Sequence, residues 1–316
     1  MKILIVCSGN VEDFNLILHH AFIYEQIESV KQNFKIEYDV FNIKGKGLLG
    51  YLGNLPKLKN KIKSFAPDVV HAHFGLSGLL ASLQRKKPVI ITFHGSDVNL
   101  SNVLPFSKME AKLSKYNILI KKKIHNRVGD SEKSFVIPCG VNFDVFYPID
   151  LKTARQKLKM ELEKKYILFG ANFNRSEKNS SLAFSAMDKL KMDCELLELD
   201  KRSREEVNLL LNACNLLLLT SKSEGSPQVI KEAMACNCPI VATDVGDIKE
   251  LIEGTEGCYL TSFNPDDIAE KIKLALQFGR TTNASERIKN FDNKIIARKV
   301  YNIYQKALMK NNDYNS

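Results

Sequence analysis

The sequence predicts an α/β protein made of two Rossmann-like, doubly wound parallel-sheet domains that face a cleft. Three observations support this prediction. The chain has 316 residues, which is long for one domain and comfortable for two. Its composition, 44% hydrophobic and 26% charged, allows a sizeable core. Short apolar runs alternate with amphipathic stretches along the chain, and this alternation is typical of strand–helix–strand units with parallel strands.

The first half of the chain shows this alternation from its N-terminus. Helical periodicity predicts helices over residues 15–31, 55–64 and 76–84. The opening run, KILIVC, is interpreted as a strand rather than a signal peptide because its apolar region is too short. No run of about 18 apolar residues occurs, so we expect no transmembrane helix. The predicted strands of this half cover residues 2–7, 35–42, 68–73, 88–95 and 135–141.

The second half repeats the alternation after a linker and an opening helix at residues 142–160. Strands are predicted over residues 166–171, 194–199, 215–221, 239–244 and 257–261. Helices are predicted over residues 180–190, 204–212, 227–235, 248–252, 265–278 and 293–309. We therefore predict an N-terminal Rossmann-like domain (1–148), a second Rossmann-like domain (149–292), and a C-terminal helix (293–316) that could pack back on the first domain and ends in a frayed tail.

Charge and cysteine usage restrict the partners and the compartment. A net charge of +10 favours contact with nucleic acid, anionic membranes or phosphorylated small molecules. The chain lacks tryptophan, zinc-type Cys/His spacing and an RNA-binding aromatic signature, so we predict no nucleic-acid partner. Seven scattered cysteines indicate reduced thiols and a cytoplasmic location. The pair in ACNCP is interpreted as two small buried residues rather than a metal site.

The stretch KSEGSPQVIKEAMACNCPIVATD, residues 222–244, places one carboxylate on each side of a predicted helix start. Ser226 suits an N-cap and Pro227 the first helical position, and free N–H groups at a helix start bind phosphate. Glu232 would lie roughly 7–8 Å along the helix, at about 1.5 Å per residue. A nucleoside diphosphate spans this distance, so Glu232 could accept hydrogen bonds from ribose. An ordinary βαβ unit with two surface glutamates is the alternative.

The segment EGSPQVIKE resembles the E-x7-E motif of retaining glycosyltransferases of the GT-B fold, family four, also called group one. The similarity continues through the whole surrounding stretch, residues 221–252, and it implies that the domain at 149–292 binds the nucleotide sugar and that the domain at 1–148 lies on the acceptor side. The resemblance implies that Glu232 binds ribose, that Glu224 lies near the donor sugar and serves catalysis, and that the backbone at Gly225 and Ser226 contacts sugar and phosphate. The predicted donor-binding set from this motif is Gly225, Ser226, Pro227, Val229 and Glu232.

The first half resembles the same family at PDVVHAHFG and TFHGSD, residues 67–75 and 92–97. The resemblance implies that His94 contacts the donor sugar and is catalytic. A histidine at the end of a buried strand is usually structural, so His71 and His73 are interpreted as residues that pack or support the cleft. The segment VIPCGVNFDVFYP is similar to the family's join into the linker. Cys139 stands there where Asn is common, and Asn142 stands where Asp is common.

The loop ILFGANFNRSEKN, residues 167–179, follows the first strand of the second half. The family usually clamps the diphosphate here with an early Arg and a later Lys. Lys178 matches the lysine, but Ala171 or Asn172 occupies the arginine position. Arg175 could act as a substitute, since a guanidinium binds phosphate oxygens in pairs. Two solvated loop cations are the alternative.

The first strand–helix turn, CSGNVEDF, contains a single glycine. A dinucleotide-binding enzyme would show G-x-G-x-x-G at this place, so the sequence argues against an NAD or FAD oxidoreductase. The family often has a Gly-rich loop here, which makes Gly9 and Asn10 marginal acceptor-side or cleft candidates. No D-x-D occurs, and the resemblance implies that neither a metal nor another cofactor is required.

The sequence thus predicts a retaining glycosyltransferase that moves a sugar from a nucleotide diphosphate sugar to an acceptor hydroxyl of a cell-surface polysaccharide or lipid-linked glycan. Two alternatives stay open: a nucleotide-sugar epimerase, and an inactive nucleotide-sugar-binding subunit of a glycan-synthesis complex. Basic runs at residues 57–65 and 120–127 are either solvated helix faces or contacts to an anionic membrane or a pyrophosphoryl lipid. Peripheral attachment to the inner face of the membrane is therefore a further expectation. Residues 99–127 resemble the family least and are expected to hold acceptor specificity.

Overall fold

A computed structural model describes residues 1–99, 103–128, 132–280 and 283–309, and these form two compact units. Unit 1 contains Met1–Gly140 and the C-terminal residues from Asn293, and unit 2 contains Val141–Asp292. The change of unit after Gly140 lies before the predicted boundary at residue 148. Val141 and Phe146 are fully buried in the core of unit 2, and they draw this segment into that unit.

Unit 1 is built on a six-stranded parallel sheet with the order β2-β1-β3-β4-β5-β6. Its strands are β1 (Lys2–Ser8), β2 (Glu37–Ile43), β3 (Val69–His73), β4 (Val89–Phe93), β5 (Tyr116–Leu119) and β6 (Ser134–Val136). Its helices are α1 (Leu16–His19), α2 (Ala21–Asn33), α3 (Gly47–Leu52), α4 (Leu55–Phe65), α5 (Gly75–Ser82), α6 (Ser96–Asn99), α7 (Leu104–Leu113) and α8 (Lys122–Val128).

The predicted strands of unit 1 are present, and their burial explains their composition. Every residue of β3 and β4 is buried, because helices cover both faces of a parallel sheet and leave no polar face. The predicted helix at 15–31 is divided in two at His20, whose backbone leaves the helical region. Strand β5 was not predicted, because this four-residue run contains Asn117. That side chain is fully buried and donates a hydrogen bond to the Ala111 carbonyl.

Unit 2 is built on a five-stranded parallel sheet with the order β11-β10-β9-β7-β8. Its strands are β7 (Lys165–Phe169), β8 (Cys194–Glu198), β9 (Leu216–Leu219), β10 (Ile240–Thr243) and β11 (Cys258–Thr261). Its helices are α9 (Leu151–Leu158), α10 (Ser180–Leu190), α11 (Arg204–Ala213), α12 (Gln228–Ala235), α13 (Ile248–Ile252), α14 (Pro265–Phe278) and α15 (Ala284–Arg287). Short 3₁₀ helices cover Ser176–Lys178 and Lys289–Phe291.

The last helix, α16 (Asn293–Leu308), belongs to unit 1 and packs on α2. Its residues Ile296, Val300 and Ile303 recur at helical spacing and are buried in the same core as β1. The ring of Tyr301 stacks on that of Phe34, with 4.1 Å between the ring centroids. Across the described part of the chain, no helix combines the length and apolar character that crossing a bilayer requires.

Candidate functional site

The loop between β9 and α12 differs from the prediction at the helix start. Helix α12 begins at Gln228, so Pro227 occupies the N-cap position and Ser226 lies one residue outside the helix. The backbone of Pro227 is extended, with ψ at 119°, and it cannot occupy the first helical position that the sequence suggested. The Ser226 hydroxyl is buried and, among the described residues, has no hydrogen-bond partner. The N-cap residue Pro227 has no side chain that can cap α12, and the Ile230 N–H donates to the Pro227 carbonyl at 3.2 Å.

Glu224 lies just before this helix and is held by two side chains. Its Oε1 accepts a hydrogen bond from Lys178 Nζ at 2.5 Å and another from Ser221 Oγ at 2.6 Å. The Lys178 and Glu224 side chains are each only 11% exposed. Two residues 46 positions apart in the chain are therefore joined as a shielded ion pair at the carboxyl ends of β7 and β9.

The backbone fixes the position of Lys178. The Thr220 hydroxyl, at the end of β9, donates to the carbonyls of Lys178 and Asn179 at 3.0 and 2.9 Å. Asn179 adopts the left-handed conformation with φ at 59°, which ends the 3₁₀ turn that carries Lys178. Arg175 is different, since its guanidinium pairs at 2.6 Å with Glu177 and both side chains are about half exposed. The structure thus brings Lys178 to Glu224 and leaves Arg175 on the surface.

Glu232 lies one helical turn into α12 and is almost fully buried. Its side chain is 3% exposed, and its Oε1 accepts a hydrogen bond from Arg204 Nη2 at 2.5 Å. Sequence reasoning missed Arg204, because no motif joins it to a residue 28 positions away. A weak signal was available: Ser203 and Glu206 form a capping box that fixes Arg204 at the first position of α11.

Close packing surrounds the backbone of the E-x7-E segment. Gly246 follows β10 with φ at +70°, and a Cβ atom there would lie 2.7 Å from the Gly225 carbonyl oxygen. The Thr243 hydroxyl donates to the Ser221 carbonyl at 2.8 Å. Val229, predicted to bind donor, is buried among the core residues of unit 2. This packing holds the loop against the end of β10, so its backbone is fixed without a ligand.

In unit 1, His94 follows β4 in a turn that a buried carboxylate stabilises. Asp97 accepts hydrogen bonds from the backbone N–H groups of His94 and Gly95, at 3.1 and 2.8 Å to Oδ1. The half-buried His94 ring contacts His73, with 3.1 Å between His94 Nε2 and His73 Nδ1. The ring also packs against Phe74, with 4.5 Å between centroids. The structure therefore fixes the orientation of the predicted catalytic imidazole.

The other strand-end histidines are internal to unit 1. His71 Nδ1 and Nε2 lie 2.7 Å from the Tyr304 and Thr92 hydroxyls, and burial lowers the pKa of His71 to about 3. Burial, with the charges of nearby histidines as smaller causes, also holds the pKa of His73 well below its ordinary value. Both rings are therefore neutral near pH 7 and support the sheet end on which His94 lies.

Beneath the His94 turn lies an acidic pair that sequence reasoning missed. Glu110 is fully buried, and neither of its carboxyl oxygens has a hydrogen-bond partner among the described residues. Burial, and then the charge of Asp97, raises the pKa of Glu110 to about 8, and burial raises that of Asp97 to about 6. A Cβ atom on Gly75 would lie 3.0 Å from Glu110 Oε2, so the glycine permits this close packing.

Gly9 and Asn10 connect two loops at one edge of the unit 1 sheet. The Gly9 N–H donates to the Ile43 carbonyl at 2.8 Å, and a Cβ atom on Gly9 would lie 2.8 Å from Asn42 Cβ. Asn10 Oδ1 accepts from the Gly45 N–H at 2.7 Å. Both predicted residues thus have structural contacts. Across the described ranges, no cluster of three or more His, Cys, Asp or Glu side chains could hold a metal ion.

Two family models match the chain. One, described as Glycosyltransferase Family 4, matches residues 20–145, and the other, described as Glycosyl transferases group 1, matches residues 167–277. An uncharacterised glycosyltransferase of Methanocaldococcus jannaschii is 28% identical over 277 residues, which cover 80% of this chain and 78% of that protein. A Campylobacter jejuni N,N'-diacetylbacillosaminyl-diphospho-undecaprenol alpha-1,3-N-acetylgalactosaminyltransferase is 29% identical over 112 residues, which cover 34% of this chain and 30% of that protein.

The fold also matches solved structures. HepE of Anabaena, in complex with UDP and glucose, superimposes with a TM-score of 0.74 at 16% identity. The superposition covers 97% of this chain and all of that one. At this identity the similarity shows a shared architecture of two Rossmann-like units.

Proposed function

The chain is a glycosyltransferase of the GT-B fold and the family-four type, and from that premise we propose that it moves a sugar from a nucleotide diphosphate sugar to an acceptor hydroxyl with retention of anomeric configuration. The observation that carries this proposal is a pair of glutamates around the start of α12, each held by a cation. Lys178 holds Glu224, and Arg204 holds Glu232. Two surface glutamates of an ordinary βαβ unit would be neither buried nor paired in this way.

In this proposal the donor nucleotide lies along the start of α12. Glu232 accepts hydrogen bonds from the ribose hydroxyls. The Ser226 hydroxyl, which is buried and has no hydrogen-bond partner among the described residues, donates to the diphosphate, and the positive end of the α12 dipole favours the anion there. The Lys178 ammonium neutralises the charge that develops on the leaving diphosphate. This ammonium also pairs with Glu224, so in the proposal the carboxylate and the diphosphate share it.

The chemical step breaks the bond between the anomeric carbon and the phosphate oxygen, and the electron pair goes to the diphosphate. The acceptor oxygen forms its bond on the face from which the phosphate leaves, and the hydroxyl proton passes to a phosphate oxygen. In this proposal Glu224 orients the sugar for the step, and His94 keeps the catalytic role that the sequence assigned to it. No metal or cofactor is part of the proposal, since Lys178 and the positive end of the α12 dipole supply the positive charge.

For the acceptor we propose a growing glycan or a lipid-linked glycan. The Campylobacter relative carries a diphospho-undecaprenol acceptor in its name, which supports this class. Helix α4 presents Lys57, Lys59 and Lys63 to solvent, and Lys61 pairs with Asp39. We propose that these lysines favour an anionic membrane surface and that the enzyme works in the cytoplasm, at the inner face of the membrane.

A thermal-shift screen with UDP, GDP and their sugar conjugates tests the proposal. A ligand concentration about 100-fold above Kd should raise the free energy of unfolding by about 2.7 kcal/mol, which raises the melting temperature by several degrees. The donor that stabilises most is then incubated with undecaprenyl-diphosphate-linked glycans, and transfer is followed by mass spectrometry. Failure of every nucleotide and nucleotide sugar to stabilise the chain would overturn the proposal.

The same assay separates the two alternatives. Formation of an epimer from donor alone, without transfer, would indicate an epimerase. Donor binding without turnover across the acceptor panel would indicate an inactive binding subunit. The family matches favour neither alternative, because the matched models and relatives are described as glycosyltransferases.

A further inference from the structure

Arg204 is the countercharge of the buried Glu232. A carboxylate that is only 3% exposed is costly to bury unless a cation or several donors stabilise it. Arg204 Nη2 lies 2.5 Å from Glu232 Oε1, and the arginine side chain is itself 21% exposed. The carboxylate therefore depends on Arg204, while the arginine retains a path to solvent.

Two further features hold Arg204 in place, one at its guanidinium and one at its backbone. It lies over the ring of Phe146, with 4.6 Å to the ring centroid, and Phe146 is fully buried. The backbone of Arg204 is fixed at the first position of α11, because the Ser203 hydroxyl and the Glu206 carboxylate cap that helix reciprocally. An arginine held in this way restricts its partner to few orientations, which is the preorganisation that a binding site requires.

We propose that Arg204 is a positioning residue of the donor site: it orients the Glu232 carboxylate to accept hydrogen bonds from the ribose of a nucleoside diphosphate. This inference rests on the proposed function, which assigns ribose binding to Glu232. It adds a residue that lies outside the E-x7-E segment and in a different helix. A purely structural ion pair is the competing explanation, and it predicts no effect on ribose recognition.

The test compares Arg204→Gln with Arg202→Gln, a matched control two residues earlier. Arg202 also pairs with a glutamate, Glu206, at 3.6 Å, but both side chains are about half exposed. Calorimetry with UDP and GDP should show at least about tenfold weaker binding for Arg204→Gln and wild-type binding for Arg202→Gln. The preference for UDP or GDP over its 2′,3′-dideoxy analogue should be large in wild type and reduced several-fold in Arg204→Gln.

Removal of one partner leaves a buried charge uncompensated and could unfold the chain. The double variant Arg204→Gln with Glu232→Gln removes both charges, so no buried charge is left without its partner. If Arg204 acts through Glu232, the double variant binds UDP or GDP no more weakly than Glu232→Gln alone. A double-variant loss equal to the product of the two single losses would overturn the inference.

Two further outcomes are distinguishable. Wild-type ribose preference in Arg204→Gln overturns this inference and leaves the proposed function intact. Absence of UDP and GDP binding to wild type, with no other nucleotide bound, overturns the proposed function and this inference together. Arg204→Lys serves as the conservative variant: it keeps the charge but not the planar guanidinium, so it should recover stability more fully than ribose preference.

Discussion

Replacement of Glu224 by Gln should separate donor binding from sugar transfer. Glu224 Oε1 accepts from Lys178 and Ser221, and both hydrogen bonds are short and shielded. The Glu224 carboxylate neutralises the Lys178 ammonium, which the proposal assigns to the diphosphate. A glutamine has nearly the same shape but no charge, so Lys178 becomes available to a phosphate without competition.

The expected magnitudes follow from these contacts. Loss of a charge-assisted hydrogen bond costs about 1.5–3 kcal/mol of stability, and the shielding of this pair, whose side chains are each 11% exposed, places the loss towards the upper end. Binding of bare UDP or GDP should be unchanged or up to about tenfold tighter, equivalent to about 1.4 kcal/mol. Transfer should fall by about 100-fold, because the donor sugar loses an orienting group at the reacting carbon. Glu232→Gln should instead bind bare UDP or GDP more weakly than wild type does, because the ribose loses its proposed acceptor.

Calorimetry with UDP and GDP measures binding, and mass spectrometry of the glycan product measures transfer. Glu270→Gln is the control, since Glu270 is an exposed residue of α14. Equal losses of nucleotide affinity in Glu224→Gln and Glu232→Gln would refute the assigned geometry. Full transfer activity in Glu224→Gln would refute the role of this residue in the chemical step.

Three further predictions concern stability and unit 1. The pKa of Glu110 is raised to about 8 from an ordinary 4.5, so the stability that this residue contributes is complete below about pH 4.5 and is lost as the pH rises towards 8. In urea unfolding between these pH values, the free energy of unfolding of wild type should fall by up to about 1.4 kcal/mol per pH unit more than that of Glu110→Gln. Gly246→Ala should cost about 1–3 kcal/mol and weaken UDP or GDP binding, because φ is +70° and the new Cβ meets the Gly225 carbonyl. His94→Gln should lower transfer by about 100-fold in kcat and leave nucleotide affinity unchanged, because the proposed nucleotide contacts lie in unit 2.

Each of these predictions has a distinct control. Equal pH dependence in wild type and Glu110→Gln would show that another group titrates. Gly279→Ala is the control for Gly246→Ala, because Gly279 also has a positive φ, +81°, but open space around its Cβ position. The Gly279→Ala variant should lose stability and keep its affinity for UDP or GDP. Weakened nucleotide binding in His94→Gln would contradict the prediction that His94 acts in sugar transfer and not in nucleotide binding.

The sequence predicted the two-sheet architecture because the signals are local. Parallel strands covered on both faces are continuous apolar runs, and turns separate them from amphipathic helices. The misses have equally physical causes. The short β5 contains a buried asparagine, and α1 and α2 separate at His20, where the amphipathic pattern does not reveal the change of backbone conformation.

The candidate site was only partly predictable. Glu224, Glu232, Lys178 and His94 were found because they lie in motif segments or at strand ends, and their functional roles stay predictions. Arg175 was a substitute for a missing family arginine, and it pairs with Glu177 on the surface. The Ser203–Glu206 spacing was only a weak signal for Arg204, because it predicts a helix start and no ion pair with Glu232. No spacing in the chain joined Asp97 to Glu110.

The sequence by itself determined most of the strands and the longer helices, and that one carboxylate lies before α12 and another inside it. Only the tertiary structure decided what faces those carboxylates. Lys178 reaches Glu224 because β7 and β9 are neighbours in the sheet, and Arg204 reaches Glu232 because α11 packs on α12. Partners 46 and 28 positions away are set by strand order and helix packing, which local periodicity does not encode.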